Sequence, residues 1–141
     1  FFIGRNTDYA VALEAALKMK EISYIHAESY AAGELKHGTI ALIEEHCPVI
    51  ALCCNEKMTE KTMNNIVEVK ARGAEVLAVT FKENTKMASL ADDMIMIPKV
   101  NVLLGASVEI VPLQLLAYYV AKENNCDIDK PKNLAKSVTV E

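Results

Sequence analysis

Residues 48–54 read PVIALCC, seven residues without a charge between a histidine-containing segment and a polar one. A run this short and this continuously apolar suits a strand buried on both faces, as in a parallel sheet. FFIG at 1–4, EVLAVTF at 75–81 and DMIMIP at 93–98 have the same character. Between them the apolar period changes to that of helices, over residues 9–25, 59–72 and 103–122, with a shorter one at 84–91. Thr59 is placed to open the second helix and Gly73 to close it in a left-handed conformation. Strands alternating with helices through short connections predict a doubly wound α/β layer.

The rest of the composition narrows the class. A chain of 141 residues that is 52% hydrophobic, with five glycines and four prolines, is long enough to bury a core and carries no linker or low-complexity tract. A formal net charge of −4 leaves no broad basic face, which argues against a nucleic-acid partner. No apolar run approaches the length of a membrane span and the N-terminus lacks the basic start of a signal peptide, so a soluble cytoplasmic protein is expected. Cys47, Cys53, Cys54 and Cys126 have no C-x-x-C spacing. Cys53 and Cys54 are adjacent on a strand and so face opposite sides, which predicts buried, reduced thiols. The chain opens directly in an apolar strand at Phe1, as a piece of a longer protein would.

Chemistry has few places to sit. On the first helix Glu14, Lys18 and Glu21 share one face by their spacing, while Val11, Ala15, Met19 and Ile22 run down another. That face is either a solvated ion-pair stripe or an acid–base set of the kind needed for proton transfer beside a carbonyl, and spacing leaves both open. His37 stands in GELKHG, residues 33–38, a charged segment between two glycines that interrupts the α/β rhythm. No histidines have metal-ligand spacing, and no metal or cofactor is expected. GRNTDY, residues 4–9, turns from strand to helix without a dinucleotide fingerprint; Asp8 is expected as the helix N-cap, with Thr7 as the alternative. After the last helix the Asn, Asp and Pro signals lead into a tail with no helical period, whose lysines carry no role by composition alone.

Several of these stretches together resemble a known family. FFIGR, YAVALEAALKMKEISYIHAESYAAGELKHG, VPLQLLAYYVA and the terminal PKNLAKSVTVE are similar to the C-terminal part of the glutamine–fructose-6-phosphate aminotransferases (isomerizing), the glucosamine-6-phosphate synthases. The most specific blocks are KEISYIHAE with GELKHG, and NLAKSVTVE. The resemblance implies a second SIS (sugar isomerase) domain over residues 1–125, with a flavodoxin-like parallel sheet flanked by helices. It also implies a tail, residues 126–141, that closes over the active site of the full-length enzyme. Such enzymes convert fructose 6-phosphate and glutamine to glucosamine 6-phosphate and glutamate, in hexosamine biosynthesis, without a cofactor.

By that resemblance Glu21 moves a proton between C1 and C2 of the sugar, and Lys18 assists at the adjacent oxygen. His37 opens the sugar ring and reaches the neighbouring subunit's site in a homodimer. Lys136 forms a Schiff base with the open ketose, and Ala135 beside it contacts the substrate. The partners implied are the sugar phosphate, and the glutaminase and first SIS domains of the same chain. A fragment without them is expected to be inactive. Asn6, Ala10, Ala15 and Thr39 stand where the family usually has Gly, Pro, Gly and Pro. A non-catalytic, sugar-phosphate-binding regulatory module is the alternative, and a purely structural dimerisation domain a third reading.

Overall fold

The computed structural model describes residues 1–132. Its strands are β1 (Phe2–Gly4), β2 (Ser29–Ala31), β3 (Pro48–Cys53), β4 (Glu75–Phe81) and β5 (Asp93–Ile97), and its helices α1 (Thr7–Ser23), α2 (Thr59–Lys70) and α3 (Gly105–Glu123). All pairings are parallel and the strand order is β2-β1-β3-β4-β5, the doubly wound arrangement that the alternating pattern predicts. Between β1 and β3 the order reverses direction, which is where a sheet of this kind opens a crevice at its carboxyl edge.

Strand alternation sorts the core onto the two faces of the sheet. Phe2, Leu52 and Val79 point toward α1 and α3, where they meet Val11, Ala15, Met19, Leu113 and Ala117. Ile3, Val49, Ala51, Val76 and Ala78 point the other way, against Ile66 and Val69 of α2 and against Leu35. Cys54 belongs to the first cluster and Cys53 to the second, so the two neighbouring thiols do lie on opposite faces, and both are buried and free. Cys47 and Cys126 are also free, but half-buried. Small alanines on α1 and α3 let these two helices approach each other closely, while α2 stands alone on the far face.

Several details depart from the expectations. β2 is a three-residue edge strand, and two short 3-10 turns follow it, Ala32–His37 and Thr39–Leu42. The short helix expected at residues 84–91 is a 3-10 turn, Thr85–Ser89. α2 ends at Lys70, and a turn brings Gly73 to φ 89°, a conformation that glycine adopts without steric cost. Asp8 is not the N-cap of α1. Asn6 holds that position, and Asp8 lies inside the first turn, 1% exposed, where its Oδ2 accepts the amides of Cys54 (2.9 Å) and Asn55 (3.0 Å). Its carboxylate ties the start of α1 to the end of β3.

Candidate functional site

The charged face of α1 forms a tight cluster. Lys18 Nζ donates to Glu21 Oε2 at 2.7 Å and lies 3.3 Å from Glu14 Oε1. The hydrogen bond to Glu21, with help from Glu14 and against some desolvation, holds the Lys18 ammonium above its ordinary pKa. Lys18 is therefore a fixed cation at neutral pH, suited to stabilising developing negative charge. The side chains of Lys18 and Glu21 keep 31% and 26% of their surface exposed, so a ligand can reach both. Beside them Leu13 (48%), Leu17 (41%) and Tyr24 (43%) present apolar surface to solvent, which a merely solvated stripe has no need of.

α1 runs back from the carboxyl edge of β1, so Lys18 and Glu21 lie toward the amino edge of the sheet. The segment that follows the last helix comes to this same end. Cys126 Sγ lies 3.8 Å from the carbonyl oxygen of Ser23, and the Lys132 amide donates to the Tyr24 hydroxyl at 2.6 Å. Tyr24 is the left-handed C-cap of α1, at φ 60°. The tail that composition leaves without a role is thus anchored, over residues 126–132, three positions from Glu21 on α1. Tyr24 is the anchoring position that sequence reasoning missed. Its only local signal is a tyrosine directly after a helix. Lys136 and Ala135 lie outside the described residues.

His37 is placed elsewhere. It ends the 3-10 turn after β2, its side chain is 74% exposed, and its Nε2 lies 3.8 Å from Glu34. Among the described residues no hydrogen bond or ion pair joins His37 to Lys18 or Glu21. The open cleft of about 730 Å³ at the carboxyl ends of β3 and β4, lined by Thr59, Lys61, Thr80, Asn84 and Lys86 among others, includes none of the three. The structure therefore pairs Lys18 with Glu21, three positions before the tail anchor at Tyr24, and among the described residues joins neither to His37 by a hydrogen bond or ion pair.

The model of the SIS domain family matches residues 1–123. The chain belongs to this family. Over 141 residues this SIS domain is 55% identical to the glutamine–fructose-6-phosphate aminotransferase (isomerizing) of Clostridium tetani, covering 100% of this chain and 23% of that relative. The protein of the same name from Oceanobacillus iheyensis is 57% identical over 141 residues, again 100% of this chain and 23% of the relative. The SIS domain thus spans about a quarter of the length of the curated relatives it matches, and it is homologous to their C-terminal part. Among solved structures, the C-terminal domain of glucosamine-fructose-6-phosphate aminotransferase from Francisella tularensis matches with a TM-score of 0.87 at 38% identity, over 92% of this chain and 36% of that one. A glucosamine-6-phosphate deaminase from Thermotoga maritima matches with a TM-score of 0.70 at 28% identity, over 97% of this chain and 39% of that one.

Proposed function

We propose that this SIS domain is the second sugar isomerase domain of a glucosamine-6-phosphate synthase, which makes glucosamine 6-phosphate and glutamate from fructose 6-phosphate and glutamine. The observation that carries the reading is the Lys18–Glu21 ion pair on α1, with the start of the tail bonded to Tyr24 three positions beyond Glu21. Lys136 follows Lys132 by four residues, a span of at most about 14 Å when extended.

The roles follow the chemistry of a ketose becoming an amino aldose. The Lys136 amine condenses with the C2 carbonyl of the open sugar and releases water, and ammonia then displaces the lysine from C2 to leave an imine. Glu21 takes a proton from C1 and returns it to C2, the imine nitrogen gains a proton as the C1 hydroxyl gives one up to become the aldehyde, and the Lys18 ammonium stabilises the negative charge that develops on the C1 oxygen. Ala135 contacts the sugar beside Lys136. His37, joined to neither Lys18 nor Glu21 by a hydrogen bond or ion pair among the described residues, serves ring opening in the neighbouring subunit of a homodimer. Apolar residues left exposed on α3, among them Val111, Leu115 and Tyr119, fit a domain that continues into further protein, in keeping with its share of the relatives' length.

Borohydride trapping tests this reading. Full-length parent protein is incubated with fructose 6-phosphate, reduced and mapped by mass spectrometry. A hexitol-phosphate adduct on Lys136, lost together with synthase activity in Lys136→Arg, is the expected result. Full activity in Lys136→Arg with no adduct contradicts it, and sugar-phosphate binding without any turnover favours the regulatory-module reading instead.

A further inference from the structure

Among the described residues the one ion-pair partner of the His37 side chain is Glu34, loosely at 3.8 Å, so its direction is set by the backbone turn that carries it. That turn is held by a closed ring of interactions. At its start the Arg5 guanidinium lies flat against Gly33, so closely that a Cβ there would stand 2.8 Å from Nη1. Arg5 Nε donates to Asn65 Oδ1 at 2.9 Å, and Asn65 Nδ2 donates to Glu68 Oε2 at 3.1 Å. The other oxygen of Glu68 accepts Lys36 Nζ at 2.7 Å, which returns the ring to the same turn, one residue before His37.

Each member has a reason to be rigid. Asn65 is only 3% exposed and is engaged through both ends of its amide, which fixes its orientation. Desolvation pushes the Glu68 carboxyl up, but the hydrogen bonds from Lys36 and Asn65 outweigh it and hold its pKa below the ordinary value. The planar guanidinium of Arg5 offers Gly33 a flat surface that a lysine could not. Between the two tethers Leu35 is fully buried against the α2 face of the sheet. An exposed turn pinned at both ends and through its middle is far stiffer than a surface loop needs to be.

We propose that Arg5, Asn65 and Glu68 are positioning residues for His37, clamping the Ala32–His37 turn to β1 and α2 so that the imidazole is presented in one direction. The clamp ties three separate segments, the end of β1, one face of α2 and the GELKHG turn, to a single function. The inference rests on the proposed role of His37 in sugar-ring opening.

A double-mutant cycle in the full-length parent enzyme tests it. Asn65→Ala, and Glu68→Ala at a more exposed position that folding tolerates, are expected to lower synthase kcat about 10- to 100-fold, the scale of a small misplacement of a reacting group. KM for fructose 6-phosphate should change much less. In a His37→Ala background the same substitutions should add no further loss, because they act only through that side chain. Independent, additive losses, or wild-type rates in both single variants, overturn the clamp while leaving the role of His37 standing. A His37→Ala enzyme at wild-type rate overturns that role and the clamp together. Hydrogen exchange on the 141-residue chain supplies a readout independent of activity. In Glu68→Ala the amides of residues 34–38 should exchange at least about 10-fold faster while those of β3 and β4 stay protected; unchanged protection of the turn overturns the proposal.

Discussion

The Tyr24 hydroxyl accepts the amide of Lys132 at 2.6 Å, across 108 residues of sequence, and so fixes where the chain after α3 arrives. The bond is exposed, so its net contribution to stability is at the low end of about 0.5–1.5 kcal/mol. Tyr24→Phe should leave the melting temperature nearly unchanged. It should speed hydrogen exchange of the Lys132 amide and, in the full-length enzyme, lower synthase activity by loosening the tail's approach to Glu21. Unchanged exchange at Lys132 would show that the segment is held by other contacts.

Asp8 and Glu109 are buried carboxyl groups, 1% and 2% exposed; the Asp8 charge acts on Glu109, and both act on the Cys53 and Cys54 thiols. Desolvation raises both, Glu109 to about 8, with the Asp8 charge adding to it, and Asp8 to about 6, because its two backbone amide donors offset part of the burial. Glu109 Oε1 has no hydrogen-bond partner among the described residues. Through these two groups the folded state binds more protons than the unfolded state between about pH 4 and pH 8, and their contribution to stability falls as pH rises through that window. Glu109→Gln, which mimics the protonated acid, should change little at pH 5 and stabilise the domain at pH 8 by at least about 1 kcal/mol, about 3–6 °C in a chain of this size. Thermal melts of both proteins at the two pH values check the sign; a wild type more stable at pH 8 than at pH 5 would contradict it.

The thiols should divide two and two. Burial pushes the Cys53 thiol up to about 12 and that of Cys54 higher still, where Glu109 and Asp8 add to the effect. Alkylation of the native chain at pH 8 should modify the half-buried Cys47 and Cys126 and spare Cys53 and Cys54 until denaturant is added. Peptide mapping reads this out, and early labelling of Cys53 or Cys54 would mean that the end of β3 opens.

The sequence carried the strands best where burial is two-sided. β3 and β4 are central, so their apolar runs are continuous and their bounds match the structure closely. β2 is three half-buried residues, Ser29–Ala31, too short and too polar for any period to show. Asp8 was misleading because N-cap preference describes a helix start facing solvent, whereas here the amides of Cys54 and Asn55 claim the carboxylate. The Lys18–Glu21 pair was legible as helix spacing, since residues three apart on a helix must meet. The anchoring of Lys132 on Tyr24 was not legible, because one hydrogen bond between distant segments leaves no periodic trace.

The most direct measurement is the synthase activity of Glu21→Gln in the full-length parent enzyme, set beside Lys20→Ala. Glutamine keeps the shape of Glu21 and its contact with Lys18, but it cannot take a proton from C1 and return it to C2. Lys20 is exposed and lies about 200° around the helix from Lys18. The account expects Lys20→Ala within a few-fold of wild type. It expects Glu21→Gln to lose about 10²–10⁴ in kcat, with sugar-phosphate binding and folding intact. Retention of more than about a tenth of wild-type activity in Glu21→Gln, well short of the usual contribution of an acid–base group, would contradict the catalytic reading of this helix face.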